Sequence, residues 1–342
     1  MIFLIFFVAL LPVSMLLAQP QDVPIHLRLP TENDYLFRGQ PEKFFAPTVS
    51  NRLISGMYGF TRSSTEPPRI FDRFHEGIDI RPLRRDRRGE PLDPVLAVAD
   101  GFVAHSTDDP TKSNYGHYVV LRHEFGGYEI YTLYAHNAKN TVVSGQRVRA
   151  GDQIAVIGYT GSGINRERAH LHFEVAFLLN RNFESWFELR GKKRPDDKNH
   201  HGTMNGINLL GIDPVPLLRA SRAGRPLTIQ QVFALQEPCY KVCLPASERP
   251  FDFQKRFDFL TEGGLSQPRP VSWVVTCNQV GLPLKFEPSS EPCCTPRAVW
   301  FDYSRSIQNS MTIGRVQRRS KNSGPLLLPP GQSYFEMLIW RP

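Results

Sequence analysis

The chain has 342 residues, enough for about two domains. Lys and Arg number 41 against 33 Asp and Glu, a formal net charge of +8, and hydrophobic residues make up 41%. That balance is globular rather than disordered, and 25 Gly and 29 Pro without a fixed period exclude a collagen-like chain. The basic surplus points to an acidic partner, with nucleic acid, anionic lipid and anionic wall polymer all open on charge alone.

In chain order, residues 2–11 are wholly apolar, Pro12 interrupts, and apolar character resumes through Ala18. This reads as a signal peptide or a short anchor, although no Lys or Arg precedes it and Leu16 is large for the −3 position of a cleavage after Ala18. The body is therefore expected to be exported, to the periplasm, the cell envelope or the medium. It would meet a membrane only through this segment, if uncleaved. Residues 19–51 carry Pro20, Pro24, Pro30, Pro41 and Pro47 and read as an extended lead-in.

From residue 52 the texture changes to short apolar runs broken by Gly, Asp and Asn. Residues 95–98, 102–104, 118–122, 128–134, 141–143 and 153–157 each predict a strand. Asp100-Gly101 and Gly126-Gly127 read as hairpin turns between such runs. The result is an all-β unit, followed at 180–200 by a short helix and a polar loop. Residues 223–342 read as a second, smaller β-rich domain of unassigned role, with a helix at 228–236 and strands at 273–277, 298–303 and 334–340. Residues 315–321 read as a solvated basic loop. The five cysteines, Cys239, Cys243, Cys277, Cys293 and Cys294, all lie in this last third. In an exported protein they predict disulfides with one thiol left over, and no Cys-x-x-Cys pair brings them into a metal argument.

The chemistry concentrates in three segments of the all-β unit. His75-Glu-Gly-Ile-Asp79 offers a nitrogen and a carboxylate ligand within five residues, with Gly77 and β-branched Ile78 and Ile80 favouring a turn and strand over a helix. In His170-Leu-His172-Phe-Glu174 a strand would put the two histidines and Glu174 on one face and Leu171 and Phe173 on the other. Tyr131-Thr-Leu-Tyr134-Ala-His136 is a β-type run ending in a histidine. His75, Asp79 and one histidine of the 170/172 pair make three ligands for a catalytic zinc that leaves a position for water. The other histidine of the pair and His136 would be free imidazoles able to accept a proton or stabilise an oxyanion.

Other segments extend the pattern: Ile54-Ser-Gly-Met-Tyr-Gly-Phe-Thr-Arg62, Pro94 to Val103, Gly116 to His123, Val148-x-x-Gly-Asp-x-Ile154 and Gly158-x-Thr-Gly161. Together, over roughly residues 52–178, the chain resembles the LytM/lysostaphin-like zinc endopeptidases that cut peptidoglycan cross-links. The resemblance implies a mainly β catalytic domain (52–222) with an antiparallel sheet of the duplicated-hybrid-motif type. It implies one Zn2+ on His75, Asp79 and His172, catalytic imidazoles at His136 and His170, and peptidoglycan peptide stems as substrate. Inactive relatives usually lose one or more of these five positions, and all five are present here. Glu174 is a candidate to fix a histidine tautomer, with an ordinary exposed carboxylate as the alternative, and Tyr58 and Tyr134 are candidates to line the groove, with aromatic core packing the safer expectation for both.

Three departures from the family bear on specificity. Residues 80–93 are longer than usual and hold five arginines, among them Arg84 and Arg85, candidates for a groove wall whose loss should raise KM more than it lowers turnover. Residues 164–169 are longer and charged, and Asn137 follows His136 where an apolar residue is common. The competing readings are a non-catalytic wall-binding or regulatory module of the same fold and a zinc peptidase acting on proteins outside the wall. Nucleic-acid binding has neither interleaved aromatics nor a reader motif behind it.

Overall fold

The structure is a computed structural model describing residues 23–47, 52–63, 72–107, 109–304, 315–317 and 324–342. The apolar leader and residues 318–321 of the basic stretch lie outside the described residues. Among the described residues no helix is long and apolar enough to cross a membrane.

The architecture is mainly antiparallel β. β1 (Thr61–Ser63) pairs with β2 (Asp72–Phe74), and β3 (Ile78–Ile80) follows at once. β4 (Pro94–Leu96), β5 (Gly101–Ser106), β6 (His117–Phe125), β7 (Tyr128–Asn137), β8 (Lys139–Asn140), β9 (Arg147–Val148), β10 (Gln153–Val156), β11 (Leu171–Leu178) and β12 (Leu209–Ile212) complete this part. The main sheet runs β12-β11-β7-β6-β5-β9, and β3 joins β11 on the edge that β12 occupies further along. A three-stranded sheet, β4-β10-β8, lies beside it.

Alternation along β11 builds the two faces. Leu171, Phe173, Val175 and Phe177 join the larger apolar cluster with Val119, Leu121 and Ile154, whereas Ala176 and Leu178 join a smaller one with Tyr118, Val120 and Leu133. Both faces are therefore covered, and every residue of β11 is buried.

Gly126 and Gly127, both with positive φ (61° and 87°), turn the tight hairpin between β6 and β7, as expected. Asp100-Gly101 does not make a hairpin. β4 pairs with β10 and β5 with β6 and β9, so the chain crosses here from one sheet to the other. The strand expected at 141–143 is displaced to β8, because Val143 is 70% exposed and finds no sheet neighbour.

The last third carries its own antiparallel sheet, β13 (Tyr240–Pro245), β14 (Ser272–Cys277), β15 (Pro283–Ser289) and β16 (Arg297–Phe301), in the order β15-β14-β13-β16. The segment expected as a strand at 334–340 belongs instead to a helix, Pro329–Ile339. Two prolines in its first turn preset helical φ, and Tyr334, Phe335, Met337 and Leu338 are buried at helical spacing. All five cysteines are free thiols, contrary to the disulfide expectation. Three of their sulfurs have oxygen neighbours instead: Cys243 meets Ser272 Oγ at 3.5 Å, Cys293 the Thr295 carbonyl at 3.1 Å and Cys277 the Val275 carbonyl at 3.9 Å.

The two sheets share one apolar core. The Phe177 ring lies 4.7 Å from Phe233 and 5.5 Å from Phe257, and Tyr128 stacks on Phe257 at 6.0 Å. Arg256 donates to the carbonyls of Leu178 and Leu179 at 2.7 and 3.0 Å, and Asn180 to those of Met337 and Trp340 at 2.7 and 3.0 Å. Each fully buried aromatic of this seam stabilises the fold by about 1.5–3 kcal/mol.

Candidate metal centre

The site forms where β3 runs antiparallel to β11. Their register sets Asp79 directly opposite His172, so a carboxylate and an imidazole from distant parts of the chain meet across one ladder step. Gly77 makes the approach feasible: a Cβ there would collide with the Phe173 carbonyl and the Glu174 side chain. His75 Nε2 lies 3.0 Å from Asp79 Oδ1, His172 Nδ1 lies 3.0 Å from the same oxygen, and the two nitrogens are 3.1 Å apart. His170 Nε2 comes within 3.4 Å of that oxygen.

The outer nitrogens decide what these rings offer. His75 Nδ1 donates to the Met57 carbonyl (2.8 Å), and His172 Nε2 donates to the Glu174 carboxylate (2.7 Å). A carbonyl or carboxylate can only accept, so in their neutral forms both rings turn an unprotonated nitrogen toward Asp79. Three acceptor atoms converging at about 3 Å repel one another unless a cation lies among them. Zinc at about 2.0–2.1 Å from each ligand in a tetrahedron would set them roughly 3.3 Å apart, close to the spacing seen. The nitrogen–oxygen–nitrogen donor set also suits zinc. The residues present fit the ion.

Without a metal a proton takes that role. Burial disfavours a charged His172, but hydrogen bonds to Asp79 and Glu174 outweigh it and push its pKa up to about 10. Burial would raise Asp79, yet the charges of His75 and His170 and the hydrogen bonds from His170 and His172 hold it well below the usual carboxylate range. A metal must therefore displace a proton from His172, so zinc affinity falls as pH falls.

Two further imidazoles border the cleft. His136 and His170 lie with ring centroids 5.1 Å apart, and each donates Nδ1–H to a backbone carbonyl, of Thr160 (2.9 Å) and Arg168 (2.7 Å). The Nε2 atom of His136 is thereby left as an acceptor, whereas that of His170 faces Asp79 Oδ1 at 3.4 Å. His136 has φ +65°, the one non-glycine residue among those described in the left-handed region. It stands next to a ladder irregularity between β6 and β7. Such a conformation costs energy that the surrounding structure must offset, and it breaks the strand alternation at the end of β7. Burial first, then the charges of His170 and His172, holds the His136 pKa well below that of free imidazole.

The cleft has a volume of about 550 Å³ and includes Phe74, Glu76, Asn114, Tyr115, Arg168 and Ile207 with the histidines. Tyr115 was not singled out in the sequence. Its hydroxyl donates to Glu174 Oε1 at 2.7 Å, the same oxygen that accepts from His172, so one carboxylate oxygen ties Tyr115 to the ligand ring. Burial and the neighbouring Glu174 push Glu76 up to about 8, with Arg315 and His172 pulling the other way, and a dication in the cage would pull it down further.

Four candidates stand elsewhere. Tyr134 is fully buried, packed on Phe173, with its hydroxyl accepting from Val98 N–H at 3.1 Å. Tyr58 lies behind the cleft, donating to the Gly211 carbonyl at 3.0 Å and lining a separate small pocket. Arg84 pairs with Glu32 at 2.7 Å. Arg85 does not wall the groove but grips backbone: the carbonyls of Gly89 (2.8 Å), Arg166 (2.7 Å), Glu167 (3.3 Å) and Ala169 (3.4 Å). It thus braces the loop that delivers His170.

Residues 73–182, which contain all five of these histidine and aspartate positions, match the model of Peptidase family M23. This segment is similar to the M23 peptidases. An uncharacterized metalloprotease of Haemophilus influenzae is 41% identical over 102 residues, 30% of this chain and 18% of that protein. The murein hydrolase activator NlpD of Escherichia coli is 31% identical over 103 residues, 30% of this chain and 23% of its own length. A solved structure of the lysostaphin catalytic domain from Staphylococcus simulans is 21% identical, covering 48% of this chain and 89% of that one, with a TM-score of 0.30. The chain thus spans less than a quarter of either curated relative, and the likeness concerns the matched segment alone.

Proposed function

We propose that this chain is an exported zinc endopeptidase that hydrolyses peptide cross-links of bacterial peptidoglycan, with His75, Asp79 and His172 as ligands and His136 and His170 as catalytic imidazoles. The observation that carries the reading is the meeting of His75, Asp79 and His172 in one buried cage, beside the imidazoles of His136 and His170, each held at Nδ1 by a backbone carbonyl. Zinc, when bound, supplies Lewis acidity toward a peptide carbonyl and lowers the pKa of water toward about 7. His136, kept neutral by burial, accepts a proton at Nε2. His170, fixed by the Arg168 carbonyl, hydrogen-bonds the developing oxyanion or returns a proton to the leaving amine. Glu174 and Tyr115 hold His172 in the ligating tautomer.

The test is zinc content and muropeptide release from purified peptidoglycan, compared between wild type and His172→Ala. One zinc per chain with release from wild type alone is expected. A wild-type chain that holds zinc and releases nothing overturns the enzyme reading. The second reading, a non-cutting activator of murein hydrolases, is favoured by the name of the Escherichia coli relative. It predicts faster release only when a separate hydrolase is added. A casein digest run beside the peptidoglycan assay tests action on proteins outside the wall.

A further inference from the structure

Glu76 is a carboxylate of the cleft that the chemistry above does not use. It is half-buried and lines the cleft with Phe74, Tyr115 and Glu174. Glu174 is engaged by His172 and the Tyr115 hydroxyl, whereas Glu76 has no hydrogen bond or ion pair to any described residue. The arginine whose charge reaches it, Arg315, is committed elsewhere: its Nη1 donates to the Val280 carbonyl, and its guanidinium lies 3.9 Å over the Tyr334 ring. Two acidic side chains therefore share one cleft, and Glu76 makes no ion pair with any described residue.

We propose that Glu76, with the rings of Phe74 and Tyr115, forms a receptor for a primary ammonium group on the bound peptide. This rests on the peptidase reading, in which a peptide lies across the cleft. An ammonium complements the site in charge, its N–H groups match a carboxylate that has no other donor, and aromatic faces attract it. A hard metal cation is a poorer match, because one carboxylate among aromatic rings supplies too few oxygen ligands. The amine can come from the free end of a peptide or from the side chain of a diamino acid.

The test uses the full-length, zinc-loaded chain and the tetrapeptide Ala-Gly-Lys-Ala in four forms: both amines free, the terminal amine acetylated, the lysine amine acetylated, and both acetylated. Binding is read by calorimetry. The form carrying the recognised amine should bind about tenfold tighter than the doubly acetylated one, the scale of one charged hydrogen bond, and the singly blocked forms identify which amine is read. Glu76→Gln should abolish that preference. Glu76→Asp, which keeps the charge, should retain it, and this separates a lost charge from a disturbed cage. Equal binding of all four forms by wild type, or an unchanged preference in Glu76→Gln, overturns the proposal. Cleavage is scored separately. Amine preference without cleavage removes the peptidase reading and leaves the receptor, whereas cleavage without amine preference removes the receptor alone.

Discussion

The main sheet holds two kinds of buried histidine. His123, on β6 away from the cleft, has both ring nitrogens occupied, Nδ1 by the Asp100 carbonyl at 2.8 Å and Nε2 by Thr132 Oγ1 at 2.7 Å. Burial lowers its pKa to about 4. The cleft histidines have their outer nitrogen tied to a carbonyl or carboxylate, and the inner nitrogens of His75, His170 and His172 converge on the one Asp79 carboxylate. Burial alone therefore does not make a reactive histidine. What separates the two groups is whether the second nitrogen has been given a neutral partner.

That contrast can be broken at several points. The largest effect is expected from His172→Ala, which removes one ligand and leaves Asp79 buried beside fewer donors; bound zinc should fall from about one per chain to none by elemental analysis. Retained stoichiometric zinc would mean that the cage lies elsewhere. Next come His136→Ala and His170→Ala. Each should keep zinc and lose on the order of 10²–10⁴ in turnover. Arg85→Met tests the brace: slackening the loop before His170 should lower kcat about tenfold with KM little changed, since misplacing a reacting group acts on the chemical step. A change in KM alone would restore the groove-wall expectation from the sequence.

The smallest effect on activity is expected at His123. Its folded pKa, about 4, lies below the 6.5 of a free imidazole. The unfolded chain therefore binds the proton more readily, and stability is complete above about pH 6.5 and drains away as pH falls toward 4. The loss amounts to roughly 3 kcal/mol at most. His123→Phe should flatten that stretch of a denaturation-versus-pH curve while zinc content stays unchanged. A curve of the same slope would place the titration on another group.

The sequence made the cleft strand readable because a strand has a period of two: His170, His172 and Glu174 share a side however the strand is paired. It could not give the pairing itself. That Asp79 faces His172 is a matter of register between segments about ninety residues apart, and a slip of one residue would turn the ladder over. Tyr115 escaped notice because it sits in a turn, where no spacing marks a side chain that reaches another strand. Tyr134 packs in the core, the safer of the two expectations for it, because strand alternation sends it there, and the positive φ of His136 breaks that alternation two residues later. Arg84 and Arg85 were read by their charge alone, which points to solvent or an anion and hides the backbone grip that Arg85 makes. The strand expected at 334–340 lies in the helix Pro329–Ile339, where two prolines at the start were the stronger signal.

The stack of Tyr128 on Phe257 has a practical consequence. The sheet that carries the cleft has no finished outer surface of its own, because Tyr128, Phe177 and Leu179 are all covered from the far third of the chain or from the seam it helps to close. Trimming the gene at residue 222 would not yield a smaller version of the protein but a sticky one, recovered from inclusion bodies. A minimal form has to be made by repainting that face with polar side chains first and shortening the chain afterwards.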